Sequence, residues 1–185
     1  MSGTLELKAL ENLIARVALG DRSAFSSLYD ATAPKLLGVC LRVLKQRSVA
    51  EDALQDAYVK IWKGADRYVS NGLSPMTWLI TIARNCAIDR LRASRRDVGS
   101  EIDTVTETLA ASGPSPEQSA IAGSEARRIT SCLDELEATR GEAIRGAYLK
   151  GESYSDLAAK FDVPLNTMRT WLRRGLISLR ECMER

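Results

Sequence analysis

Apolar residues recur at helical spacing on both sides of one short polar stretch, and this periodicity constrains the fold more than any other feature. Positions i, i+3, i+4 and i+7 are repeatedly apolar, whereas the strict alternation of half-buried strands is missing. The polar stretch, residues 98–120, has no Lys or Arg, four acidic residues and two prolines, which is typical of a flexible linker. The sequence therefore predicts an all-α chain of two small helical domains, 1–97 and 121–185, joined by an acidic linker.

The net charge of the 185-residue chain is only +2, but it is unevenly distributed. Residues 1–97 carry 15 basic and 10 acidic side chains, whereas residues 121–185 carry 11 and 10. A basic first domain favours an anionic partner. No apolar run approaches the roughly 20 residues that a membrane span needs, and the first residues lack the pattern of a signal peptide. We expect a cytoplasmic protein that does not insert into a membrane.

The residue types needed for catalysis or metal binding are scarce. The chain has no histidine, which removes the commonest general base, and it contains no glycine-rich phosphate loop or HExxH motif. Its four cysteines lie 46 to 50 residues apart, without the CxxC spacing of a zinc site. We expect them to be small buried hydrophobes, although a redox-sensing role stays open for an exposed thiol. The sequence therefore predicts no metal, no cofactor and no enzymatic activity.

The clearest predicted helix runs from Val49 to Trp62 and has one apolar and one polar side. Its polar side, called the docking face below, consists of Glu51, Asp52, Gln55 and Asp56. Two interpretations stay open: a solvated surface, or a surface that docks on a basic partner. Earlier segments predict helices over Leu7–Leu19 and Ala24–Leu44, the second of them kinked or divided at Pro34.

A third strong helix is predicted to start with Ser74 as N-cap and Pro75 at the first helical position, and to run to about Arg96. Five arginines and one acid lie between Arg84 and Arg96. Arginines hold phosphates, aromatic rings stack on unpaired bases, and Asn or Asp reads base edges, so this helix and the loop before it suit single-stranded DNA. The alternative is that the aromatics are core and the arginines are solvated. The candidates, called the single-strand face, are Tyr68, Ser70, Asn71, Trp78, Arg84, Asn85, Asp89 and Arg92.

Residues 152–174 have the layout of a helix-turn-helix. Ser153 is placed to cap a short helix with Asp156 as its capping-box partner, and a turn at 162–164 leads to a second helix that opens at Asn166 or Thr167. Residues 165–180 contain four arginines and no acid, as expected of a helix that reads the major groove. The alternative is a basic helix in a structural bundle. The outward residues, called the recognition face, are Thr167, Arg169, Thr170, Arg173 and Arg174.

These blocks resemble a known family. Ala50–Trp62 and Trp78–Arg92 are similar to conserved region two of the extracytoplasmic-function (ECF) sigma factors of the sigma-70 family, and the helix-turn-helix is similar to region four. The resemblance covers nearly the whole chain except the linker and the first residues. It implies an alternative sigma factor, not an enzyme, that directs RNA polymerase core to specific promoters and initiates transcription.

The resemblance also implies roles for the three faces. The docking face would bind the clamp helices of the largest polymerase subunit. The single-strand face would hold the melted non-template strand of the minus-ten element, and the recognition face would read duplex minus-thirty-five DNA. The linker would run toward the RNA exit path, and an anti-sigma factor would control the protein, as is usual in the family.

The sequence departs from the common family pattern at two places. Leu136-Glu137 stands where many members have Leu-Pro, and Asn166–Thr170 replaces a Gly-Thr-Val-Lys-Ser start of the recognition helix. These departures leave the helix-turn-helix intact but do not define the exact minus-thirty-five sequence.

Two other classes of protein are weaker matches. A transcription regulator with a phosphoacceptor receiver would need strands alternating with helices, which residues 1–97 do not show. A helical enzyme would need a catalytic constellation that these residue types do not supply.

Overall fold

The computed structural model describes residues 2–70, 73–97, 124 and 127–185, and each regular element in these ranges is helical. None of the helices in this part of the chain has the length and apolarity required to cross a membrane. The all-α prediction with two domains is confirmed. The predicted linker, residues 98–120, lies outside the described residues, so its boundaries stay predictions.

The first compact unit, Met1–Thr106, contains the three helices predicted most clearly and the additional first helix. The second of these helices runs undivided through Pro34, contrary to one of the two expectations for that proline. The elements of this unit, called domain 1, are α1 (Ser2–Ala18), α2 (Arg22–Leu44), α3 (Arg47–Gly64), a 3-10 turn (Ala65–Arg67) and α4 (Pro75–Asp97).

Side-chain caps fix where α2 and α4 begin. Asp21 accepts the Ala24 amide at 3.0 Å, and this bond, together with Arg16, lowers the pKa of the Asp21 carboxyl. At the start of α4, the Ser74 hydroxyl accepts the Met76 amide at 3.2 Å while Pro75 occupies the first helical position. The predicted cap of α4 is thus confirmed.

Helices α2, α3 and α4 pack against one another around the core of domain 1. Ala50, Ala53 and Ala57 are fully buried on α3, and such small side chains allow neighbouring helices to approach closely. Burying one Leu or Ile side chain stabilises a fold by about 1.5–3 kcal/mol. The large apolar side chains that are fully buried here include Leu28, Leu36, Ile61 and Leu79.

Two buried hydroxyl groups in this core are paired with each other. The Thr32 and Tyr58 hydroxyls lie 2.7 Å apart, and burial raises the pKa of Tyr58 to about 12. Cys40 and Cys86 are buried thiols, as predicted, and burial raises the pKa of Cys40 to about 11. Both cysteines therefore behave as small core residues.

The second compact unit, Glu107–Arg185, contains the helix-turn-helix. The last of its helices begins at Leu165, one residue before the earlier of the two predicted starts, because Pro164 takes the N-cap position. The first residues of the second predicted domain, 121–123, lie outside the described residues. The elements of this unit, called domain 2, are α5 (127–134), α6 (Ala138–Tyr148), α7 (Tyr154–Lys160) and α8 (Leu165–Glu184).

The helix-turn-helix is held by local bonds and by close packing on α6. Ser153 and Asp156 form the predicted capping box, with the Asp156 amide 3.1 Å from the Ser153 hydroxyl. Helix α8 approaches α6 so closely that a Cβ atom on Gly175 would lie 2.6 Å from Cδ1 of Ile144. Met168 and Leu172 of α8 are buried in the same core. The packing of its inner side therefore positions α8, and this core does not constrain the residues on the outer side.

The expectation that all four cysteines are isolated buried hydrophobes is wrong for two of them. Cys132 of α5 and Cys182 near the end of α8 form a disulfide with Cα atoms 5.8 Å apart. This separation lies in the range in which two cysteines can be bridged. The sequence offered no sign of the pairing, since the partners are 50 residues apart.

Candidate functional site

The docking face lies on α3, where Asp52, Gln55 and Asp56 are exposed and Glu51 is half-buried. Glu51 pairs with Arg47 one turn earlier, at 2.8 Å. The four residues recur at spacings of three and four, so they share one side of the helix. The buried side of α3, which includes Leu54, faces the core.

Arg90 of α4 is a member of this surface that the sequence did not single out. Its guanidinium lies 2.7 Å from Asp56 and 3.3 Å from Asp52, so one side chain bridges both carboxylates. The two acids nevertheless remain 57% and 51% exposed, for Asp52 and Asp56 respectively. Each carboxylate has several acceptor positions, so the pairing with Arg90 orients them and leaves oxygen atoms accessible. Arg90 therefore links the docking face to α4.

Most of the single-strand face on α4 is accessible. Asn85, Asp89 and Arg92 are exposed and follow one another at spacings of four and three, with half-buried Trp78 two turns earlier on the same side. Asp89 also lies 3.5 Å from Lys60 of α3, while its side chain stays 66% exposed. Asn71 lies outside the described residues.

The prediction that Arg84 belongs to the exposed single-strand face is wrong, because this residue is only 1% exposed. The residues three and four positions later, Ala87 and Ile88, are buried, so this position points into the domain. That apolar neighbourhood was the signal available in the sequence. The guanidinium of Arg84 is therefore a buried group of the domain 1 interior, whereas Arg90 is half-buried and Arg92 is exposed.

The two aromatic residues of the single-strand face contact each other. The Tyr68 and Trp78 rings are 5.3 Å apart, and both residues are half-buried against the core of domain 1. The Tyr68 hydroxyl donates to Glu11 of α1 at 3.3 Å, and the Ser70 hydroxyl donates to the same carboxylate oxygen at 3.0 Å. Burial, followed by the Glu11 charge, raises the pKa of Tyr68. The beginning of this loop is thus fastened to α1.

The recognition face forms the outer side of α8. Arg169, Thr170, Arg173 and Arg174 are exposed, and Thr167 is half-buried. The first turn orders part of this surface, since Asn166 accepts from the Arg169 guanidinium at 3.2 Å and its carbonyl accepts the Thr170 hydroxyl at 2.9 Å. Four of the five residues that were predicted to point outward are therefore exposed.

Two family models cover these surfaces. Sigma-70 region 2 matches residues 28–97, which include the docking face and α4, and Sigma-70, region 4 matches residues 126–179, which include the recognition face. The ECF RNA polymerase sigma factor SigK of Mycobacterium ulcerans (strain Agy99) is 33% identical over 182 residues, covering 95% of this chain and 94% of the relative. The chain belongs to the ECF sigma factors.

Other relatives have similar lengths. SigK of Mycobacterium tuberculosis (strain ATCC 25618 / H37Rv) is 32% identical over 192 residues, covering 100% of this sigma factor and 99% of the relative. Among solved structures, Rhodobacter sphaeroides SigE in complex with the anti-sigma ChrR shares 27% identity with a TM-score of 0.46, covering 92% of this chain and 96% of that chain. The chain is therefore an alternative RNA polymerase sigma factor, a transcription initiation factor that works with polymerase core and promoter DNA.

The burial of Arg84 predicts a stability effect that the exposed Arg92 does not share. Arg84→Ala should lower the free energy of unfolding of domain 1 by about 0.5–3 kcal/mol, because removing this buried side chain leaves a cavity in the interior. Arg92→Ala should change it by less than about 0.5 kcal/mol, as is usual at exposed sites. Hydrogen exchange read on peptides from α4 measures both variants. Equal protection in the two variants would contradict the assignment of Arg84 to the interior.

Proposed function

We propose that this sigma factor divides promoter recognition between its two domains. In domain 1 the docking face binds the clamp helices of the largest polymerase subunit, and the single-strand face holds the melted non-template strand of the minus-ten element. In domain 2 the recognition face reads duplex minus-thirty-five DNA. The observation that carries the proposal is that exposed arginines lie on α4 and α8, within the family regions, while exposed carboxylates lie on α3.

The docking assignment is supported by the geometry of Asp52 and Asp56. They stand one turn apart, are held in place by Arg90, and are about half exposed. A basic helix that approaches α3 would meet two oriented carboxylates, so little side-chain entropy would be lost on binding. Complementary charge of this kind favours both the rate and the specificity of association.

The single-strand assignment rests on one side of α4. Arg92 offers a cation to a phosphate, Asn85 offers both a donor and an acceptor to a base edge, and Trp78 offers part of an aromatic ring. We leave Arg84 out of the direct contacts because its side chain is buried. It acts instead by supporting the helix that carries the other three.

The duplex assignment rests on the outer side of α8. Arg169 and Arg173 stand one turn apart, as do Thr170 and Arg174, which gives two adjacent rows on a helix preceded by a capped short helix and a turn. Arginine binds guanine through two hydrogen bonds in the major groove, or holds a phosphate. This is the arrangement of a recognition helix.

The remaining parts of the proposal follow from family membership. Transcription initiation takes place where RNA polymerase meets DNA, so we place the protein in the cytoplasm and assign it no enzymatic activity of its own. We also extend to it the usual control of this family by an anti-sigma factor.

The docking face is tested by removing its two central charges without changing side-chain size. Asp52→Asn combined with Asp56→Asn should weaken binding to purified core polymerase by about 2–5 kcal/mol, because basic partner groups would lose their counter-charges. Fluorescence anisotropy of the labelled sigma factor, titrated with core, gives the affinity.

The matched control is Asp30→Asn combined with Asp66→Asn, which removes two exposed charges of domain 1 outside the docking face. It should bind core normally. An equal loss in the two double variants would show a general charge effect and would contradict the assignment of the docking face.

The recognition face is tested with single arginine variants. Arg173→Ala or Arg174→Ala should weaken binding to minus-thirty-five duplex DNA by about 1–3 kcal/mol for a base-reading arginine. Arg180→Ala serves as the control, since Arg180 lies near the end of α8 and pairs with Glu184 at 2.7 Å. The measurement is holoenzyme binding to selected promoter fragments. An unchanged promoter profile in both variants would refute these two base contacts.

A further inference from the structure

We propose that Glu11 of α1 positions Tyr68–Ser70, the start of the loop that leads into α4, and thereby sets how well this sigma factor distinguishes its own single-stranded minus-ten sequence from others. The proposal rests on the proposed function of the single-strand face and adds a residue from outside it. Helix α1 precedes the region 2 match, which begins at residue 28. Glu11 would thus be a positioning residue supplied by a separate helix.

The geometry at the start of the loop supports this role. Tyr68 has extended backbone, and successive side chains of an extended segment point to opposite sides, so residues two positions apart share a side. Tyr68 and Ser70 both donate to Oε1 of Glu11, at 3.3 and 3.0 Å, while Val69 between them is 72% exposed. One carboxylate therefore holds two alternate residues against α1 and directs the apolar side chain between them outward.

The surroundings of Glu11 keep this arrangement in place. Helix α1 packs against the 3-10 turn Ala65–Arg67 that leads into the loop, and Glu11 is half-buried there. On its other side, the Tyr68 ring contacts Trp78 of α4. Tyr68 is therefore fixed by a hydrogen bond at its hydroxyl and by ring packing, which holds the chain directly after the 3-10 turn in place.

The charge of Glu11 indicates that it contributes to specificity and not to affinity. A carboxylate beside a bound strand repels the phosphates, which weakens binding to every sequence. A loop that is ordered before the strand arrives loses less entropy on binding, and it presents its base-contacting groups in one arrangement. The ordered loop disfavours incorrect strands more than the correct one, whereas the repulsion lowers the affinity for all strands alike.

The experiment uses holoenzyme and forked DNA with a single-stranded minus-ten segment. The wild-type holoenzyme first selects a preferred sequence from forks randomised in that segment. Affinities are then measured for the selected fork and for a scrambled fork of the same composition. The specificity ratio is the affinity for the selected fork divided by the affinity for the scrambled fork.

Three variants separate the hydrogen bonds from the charge. Glu11→Ala should lower the specificity ratio by about 5- to 10-fold, the equivalent of one to two hydrogen bonds. Glu11→Gln keeps an acceptor oxygen and should keep the ratio within about twofold, while it binds both forks more tightly. Asp66→Asn, which removes a neighbouring charge that pairs with Arg67, should leave the ratio unchanged.

A double-mutant cycle covers the case in which Glu11→Ala loosens the fold. Ser70→Ala removes one donor to the same carboxylate, so its effect on the ratio should be smaller in the Glu11→Ala background than in wild type. Additive effects would overturn the proposal. A ratio that is unchanged in Glu11→Ala, or that falls equally in Glu11→Gln, would also overturn it.

If the proposed function of the single-strand face itself is wrong, the experiment gives a result that differs from failure of the Glu11 proposal alone. If the wild-type holoenzyme selects no sequence in the single-stranded segment, the proposed function of the single-strand face is refuted, and the inference about Glu11 falls with it. If selection succeeds and the variants behave like wild type, the inference about Glu11 alone is wrong.

Discussion

The packing of α4 against α2 and α3 is the constraint on which the surfaces of domain 1 depend. Its buried side, with Leu79, Ala83 and Cys86 in the core, fixes which residues face outward. Arg90 then bridges to Asp52 and Asp56 of α3. A single helix therefore carries Asn85, Asp89 and Arg92 of the single-strand face and also orients the docking face. The surfaces proposed for polymerase binding and for strand binding thus share one supporting helix, which favours precise geometry at both.

In domain 2, too, packing on one side of a helix fixes which residues face outward. The inner side of α8 packs on α6 so tightly that position 175 tolerates no side chain without rearrangement, and the outer side is left to arginine and threonine. The disulfide between Cys132 and Cys182 fastens the end of α8 to α5, at the opposite end of the helix from Asn166. The start of α8, where base contacts are expected, is held by its own first turn and by the preceding helix-turn.

Local signals predicted much of this fold and part of the site. Helical periodicity gave the fold class, and the caps at Ser74 and Ser153 were predicted because capping depends on residues two or three positions apart. The exposed side of α8 was predicted for the same reason. What the sequence did not reveal depends on contacts between distant segments: the Arg90 bridge, the link from Glu11 to the loop, and the Cys132–Cys182 disulfide. Arg84 was misassigned because a charged residue was taken to be exposed, although Ala87 and Ile88 beside it are apolar.

The central claim is that the two domains read DNA in two different states, and site-specific crosslinking tests it most directly. A photoreactive amino acid is placed at Asn85 in one preparation and at Thr170 in another, both exposed positions, and each holoenzyme is bound to a promoter in the open complex. The account predicts that position 85 crosslinks to the unpaired non-template strand and position 170 to duplex DNA upstream. Crosslinks from both positions to duplex DNA, or from position 85 to no DNA at all, would contradict it.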